Sequence, residues 1–257
     1  MTNPKRNILI TGVGSGLGRG LSLCLAQQGH AILATDLHFD TARDTVAAIE
    51  TQGGQAEAHA LDVTSDKDIP RFMKQVGPRQ IDVLINNAGL QQVAPADEFP
   101  VEKWDLVIAV MLRGAFLMTR AILPLMRAQG FGRIIQIGSI HSLVASPFKS
   151  AYVAAKHALL GFSKTVALET AGVDITVNTI CPAYIRTPLV DAQIKDQART
   201  RGISEEEVIQ RIMLQPMPKR AFITSEEVAA AVEYLMSSLA RNVTGQTITI
   251  DGGWTAQ

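Results

Sequence analysis

The chain has 257 residues, 47% hydrophobic and 19% charged, which supplies enough apolar material for a substantial core and excludes a disordered chain. Lys+Arg and Asp+Glu each number 24, so the basic excess expected of a nucleic-acid binder is missing. Cys24 and Cys181 form no C-x-x-C pair and no His/Asp/Glu cluster has ligand-like spacing, so neither a disulfide framework nor a metal is expected.

Seven short apolar or β-branched runs read as strands: NILITG (7–12), HAILATD (30–36), AEAHALDV (56–63), IDVLINNAG (81–89), GRIIQIGS (132–139), ITVNTICP (175–182) and TGQTITIDGG (244–253). Longer stretches with helical spacing lie between most of them. GRGLSLCLAQQG (18–29) and TARDTVAAIETQGG (41–54) each close on glycine, as helix C-termini often do. Strand and helix in alternation predict a parallel sheet covered on both faces. Right-handed crossovers then favour one doubly wound α/β domain, a Rossmann fold with a mostly parallel seven-stranded sheet. Segment 187–224 is polar, carries Pro188, Pro216 and Pro218, and reads as one or two short helices inserted as a substrate lid. No apolar run approaches the ~18 residues that span a membrane, and no signal-peptide hydrophobic region precedes the first glycines. A soluble, cytoplasmic protein without a membrane partner is expected.

Polar punctuation gathers at the ends of the predicted strands, the edge where ligands bind in this architecture. Gly12, Gly16 and Gly18, with Gly14 between them, stand at G-x-x-x-G-x-G spacing where the first strand enters a helix. Glycine permits a tight turn and close backbone approach, and the helix N-terminus presents amides to a pyrophosphate. Asp36, about twenty residues on, ends the second strand. Its carboxylate suits both hydroxyls of an adenosine ribose and repels a 2′-phosphate, so NAD is expected over NADP. Asp62 and Val63 end the third strand, and Asn86, Ala88 and Gly89 belong to the NNAG that ends the fourth; they are expected on the adenine and ribose side.

The stretch SIHSLVASPFKSAYVAAK (139–156) gathers a serine, a histidine, two lysines and a tyrosine among small residues. Tyr152 and Lys156 are four apart and share one helical face. With TGVGSGLG, NNAG, Ser139 thirteen residues before Tyr152, YVAAK and NTICPAYIRTP, the chain resembles the short-chain dehydrogenase/reductase family over essentially its whole length. That resemblance implies Tyr152 as general acid/base, Ser139 as hydrogen-bond donor to the substrate oxygen, and Lys156 as the cation that favours phenolate and also binds the nicotinamide ribose. A free tyrosine has a pKa of ~10, so Lys156 and an oxidised nicotinamide are expected to lower it. The resemblance also implies cofactor contacts from Tyr152, Pro182, Ile185 and Thr187, and a homotetramer.

Two positions depart from the family pattern. Met111 stands in AVMLRGAF where an asparagine that helps hold a relay water is common, and a thioether donates no hydrogen bond. Ala183 replaces the usual glycine after Pro182, which is expected to restrict the backbone near the nicotinamide.

His141 and Lys149 are not needed for hydride transfer itself, and a cation beside the catalytic tyrosine suggests a carboxylate substrate. Gln91 and Gln193 add amide donors from other segments, and Tyr184 is placed to line the pocket. This set resembles the D-3-hydroxybutyrate dehydrogenase subgroup, which implies NAD-dependent interconversion of (R)-3-hydroxybutyrate and acetoacetate. A dehydrogenase for another small hydroxy acid or secondary alcohol, or a non-catalytic NAD-binding protein, are the alternatives.

Overall fold

The computed structural model describes residues 4–256. Seven strands form one sheet: β1 (Asn7–Thr11), β2 (Ala31–Asp36), β3 (Gln55–Ala60), β4 (Val83–Asn86), β5 (Phe131–Ile137), β6 (Asp174–Pro182) and β7 (Thr247–Ile250). Their order is β3-β2-β1-β4-β5-β6-β7, and every neighbouring pair is parallel. The chain winds outward from β1 to β3, then returns to place β4 on the other side of β1. That reversal opens a crevice at the carboxyl ends of β1 and β4.

Alternation along the strands divides the core between the two faces. Ile8, Ile10 and Ile32 face one layer, built on α1 (Gly16–Gln27), α2 (Phe39–Thr51) and α9 (Ser225–Met236). Leu9, Leu33 and Leu84 face the other, built on α3 (Asp68–Val76), α5 (Gly114–Gln129) and α6 (Ser150–Glu169). Each fully buried Ile or Leu contributes roughly 1.5–3 kcal/mol by leaving water, which makes these two layers the main source of stability.

α4 (Val101–Ile108), a π turn (Ala109–Arg113) and α5 run on as a 29-residue helical segment. By length and composition that segment could cross a membrane, contrary to the expectation that no stretch would. Met118, Ile122 and Met126 pack on the sheet, while Val101, Trp104, Leu106 and Phe116 of the same segment are exposed.

The inserted segment forms α7 (Pro188–Arg201), α8 (Glu205–Val208) and a π turn (Ile209–Met213). Ile194, Val208 and Met213 make a small core of their own, with Tyr184 and Phe222 against it. Thr224 caps α9 in a reciprocal box with Glu227, which returns the chain to the core.

Candidate active site

The turn from β1 into α1 is built by glycine for steric reasons. Gly12 has φ +70°, and a Cβ on it would lie 2.8 Å from Ala88 Cα; a Cβ on Gly18 would lie 2.1 Å from the Gly12 carbonyl oxygen. Asn87 locks this turn to the end of β4, its Nδ2 donating to the carbonyls of Thr11 (2.9 Å) and Gly12 (3.0 Å). The first turn of α1 holds no acidic residue, so its free amides and positive dipole end meet no competing carboxylate there. Asp36 is held in place at the end of β2. Its Oδ2 accepts from Gly14 N (2.9 Å) and its Oδ1 from Thr41 Oγ1 (3.1 Å) and His38 N (3.1 Å).

A cavity of about 330 Å³ runs from this turn to the N-terminal end of α6. Gly12, Gly16, Gly18, Asp36 and Gly89 line one part of it. Ser139, Tyr152, Lys156, Pro182, Ile185 and Thr187 line it further on, together with Gln91, His141, Lys149, Tyr184 and Gln193.

Four expected cofactor residues do not line it. Because β3 stops at Ala60, Asp62 lies in the following turn, where its Oδ1 accepts from Thr64 N (2.8 Å) and Thr64 Oγ1 (2.7 Å). Val63 is buried, so close to α5 that a Cβ on Gly114 would lie 2.8 Å from its Cγ2. Asn86 is the last residue of β4 and turns its amide toward α5, donating to Thr119 Oγ1 (3.2 Å); Ala88 packs beneath Gly12. Asn87, Ser15, Leu17 and Leu90 line the cavity and were missed. The NNAG motif pointed to the right turn, but the face each asparagine takes depends on where β4 ends.

β5 ends at Ile137, and Ser139 then caps a 3₁₀ turn (Ile140–Ser142), its Oγ accepting from His141 N at 3.1 Å. Ser139 also hydrogen-bonds the Tyr152 hydroxyl, which favours phenolate. Burial works in the other direction and is stronger, so the Tyr152 phenol lies above its ordinary pKa. The expected lowering joined Lys156 to an oxidised nicotinamide; in the chain by itself burial outweighs every group that favours phenolate. The Lys156 Nζ donates to the Ile137 carbonyl at 2.6 Å and lies 5.7 Å from the centre of the Tyr152 ring. Burial in turn depresses Lys156 to about 8.

The remaining polar residues form a second group on the same cavity. His141 is buried, and Nε2 lies 3.4 Å from both Lys149 Nζ and Ser146 Oγ. Burial and the neighbouring Lys149 hold it at about 4, so it is neutral at pH 7. An ammonium only donates, so Nε2 is the acceptor and the proton sits on Nδ1. Gln193 Nε2 donates to Gln91 Oε1 at 3.1 Å, while the buried Gln91 Nε2 has no partner. Phe148, immediately before Lys149, has φ +67°, a conformation that costs roughly 1–3 kcal/mol in a bulky residue. Trp254 was not foreseen: it meets His141 edge-on (5.9 Å) and stacks on Tyr184 (5.9 Å). Only the fold brings this C-terminal ring to residues more than 60 positions away.

A family model described as "Enoyl-(Acyl carrier protein) reductase" matches residues 12–255. A D-beta-hydroxybutyrate dehydrogenase of Rhizobium meliloti is 47% identical over 98% of this chain and 99% of its own, and one of Cupriavidus necator is 41% identical over 98% of each. The chain belongs to the short-chain dehydrogenase/reductase family and is an oxidoreductase. A solved family structure from Beutenbergia cavernae, provisionally described as an NAD(P)-dependent gluconate 5-dehydrogenase with NADP at low occupancy, superposes with a TM-score of 0.87. It is 32% identical and covers 98% of this chain and 97% of its own.

Within the family pattern the two departures behave differently. Met111 is buried at the centre of the π turn and lines the cavity, with its Cε 3.5 Å from where a Cβ on Gly89 would stand. Ala183 donates its N–H to the Ile250 carbonyl at 2.9 Å and lacks the positive φ that would call for glycine, so its methyl costs no backbone strain.

Proposed function

We propose that this oxidoreductase interconverts (R)-3-hydroxybutyrate and acetoacetate with NAD. The observation that carries the substrate class is the unpartnered Gln91 Nε2, set with Lys149, neutral His141 and Gln193 on the cavity that also holds Tyr152. Among the described residues Asp36 is the one acidic side chain lining that cavity, and the catalytic tyrosine lies on a different element. Donors without a competing carboxylate suit an anionic substrate. The 3-hydroxy position and its handedness rest on likeness to the two D-beta-hydroxybutyrate dehydrogenases.

In the oxidative direction Tyr152 takes the substrate hydroxyl proton, with Ser139 donating a hydrogen bond to the same oxygen. The nicotinamide, when bound, supplies the hydride acceptor. Lys156 provides a positive charge close to the phenol. The glycine turn and the α1 N-terminus would hold the pyrophosphate, and Asp36 the adenosine ribose, which favours NAD over the NADP of the Beutenbergia structure. The segment 187–224 serves as the lid through Thr187, Val190 and Gln193. We place the enzyme in the cytoplasm as a homotetramer.

Initial rates with NAD and (R)-3-hydroxybutyrate, the (S) enantiomer and 2-butanol, repeated with NADP, test this. Activity confined to the (R) acid with NAD is expected. A faster rate on the neutral alcohol would discard the carboxylate reading, and a preference for NADP would discard the role of Asp36.

A further inference from the structure

A second, much smaller cavity shares Met111, Ile137 and Lys156 with the large one. Its volume is about 10 Å³, close to what a single water needs. Three hydrogen-bonding side chains line it: Lys156, Asn86 and Thr11.

Each of the three has capacity to spare. Asn86 is buried, and its Nδ2 is committed to Thr119 Oγ1 (3.2 Å) and the Ala115 carbonyl (3.5 Å), while its Oδ1 has no partner. An ammonium carries three donors, and Lys156 directs one to the Ile137 carbonyl. Thr11 Oγ1 accepts from the amides of Asn87 (3.1 Å) and Ala88 (3.0 Å) and keeps its own hydrogen to give. The Met111 thioether beside them donates nothing. A buried water is plausible where space for one coincides with two to four polar partners, and this cavity meets both conditions.

We propose that this cavity binds one water molecule, held between Asn86 Oδ1 and Lys156 Nζ, and that Asn86 through it positions and solvates the Lys156 ammonium. Asn86 is therefore a positioning residue that supplies a polar partner where Met111 has none. The consequence for turnover rests on the reading of Tyr152 and Lys156 given above; the water itself does not.

Two measurements separate these. A crystal structure of the ligand-free protein, at a resolution that shows waters, should place one peak about 2.6–3.2 Å from both Lys156 Nζ and Asn86 Oδ1. No peak would overturn the proposal. So would direct donation to Asn86 Oδ1 by Gln136, its buried neighbour in register on β5, whose amide atoms are both unpartnered. The second measurement is the pH dependence of kcat in Asn86→Leu and in Val110→Ile, which adds a methyl to the cavity wall without touching Asn86. Tyr152 and Cys181, the other titratable groups near Lys156, stay in place in both variants. Losing a solvating partner destabilises the charged amine, so the alkaline limb should move down by about one pH unit, with KM changed less than about twofold. NADH binding checks folding. An unmoved limb in both folded variants would overturn the role of Asn86. Absence of hydroxy-acid oxidation by the wild type would instead overturn the functional reading and leave the crystallographic result to stand alone.

Discussion

Lys156 lies one helical turn from Tyr152, yet its Nζ is hydrogen-bonded to the Ile137 carbonyl, 2.6 Å away, and sits 5.7 Å from the centre of the tyrosine ring. The cation is thereby tied to the end of β5 and lies beside the phenol. Burial raises the Tyr152 pKa and lowers that of Lys156, so the chain alone holds both groups nearer neutrality than free side chains. At pH 7 Lys156, at about 8, is still mostly the ammonium, so the charge on this pair is its own.

Tyr152→Phe removes the hydroxyl to which the proton exchange with substrate is assigned. We expect kcat to fall by at least about 10³-fold, within the range lost with general acid–base catalysis. NADH binding, followed by fluorescence, should stay within about twofold. Residual turnover above a few per cent would reject the assignment.

Lys156 also has a stability cost. Its folded pKa of about 8 lies below the ordinary lysine value of 10.5, so the unfolded chain binds more protons between those pH values and stability rises with pH there. The penalty is fully present below about pH 8. Lys156→Met should therefore stabilise the ligand-free protein by about 2 kcal/mol at pH 7 while abolishing turnover. Urea unfolding at pH 7 and pH 10 checks both parts: the gain should shrink at the higher pH.

His141 sets the acid limit. Held at about 4 against an ordinary value of 6.5, it is protonated more readily in the unfolded chain, so its contribution is present above pH 6.5 and lost as pH falls toward 4. The wild type should lose about 2–3 kcal/mol from this group across that window. In His141→Gln that part of the slope should vanish, and an unchanged slope would place the acid sensitivity elsewhere.

Lys149→Ala tests substrate charge. Removing the ammonium that faces the cavity should raise KM for the hydroxy acid by about 10–100-fold, in keeping with ~1.5–3 kcal/mol for a charged hydrogen bond. The rate on 2-butanol should be little changed. Equal losses on both would show that Lys149 shapes the cavity without reading charge.

Local pattern was sufficient for much of this. The seven strands, the glycine turn, Asp36, the Tyr152–Lys156 spacing and the polar insertion all depend on periodicity or on short-range backbone chemistry, which neighbouring residues carry. Long-range packing decided the rest. Whether Asn86 or Asn87 faces the cavity follows from where β4 stops, and Asp62 lies past the end of β3, where Thr64 holds its carboxylate. Trp254 reaches His141 and Tyr184 only when the C-terminus folds back, and the direction of the Tyr152 shift depends on how much water burial removes. Desolvation is a property of everything packed around a group, and residues far apart in the chain supply it.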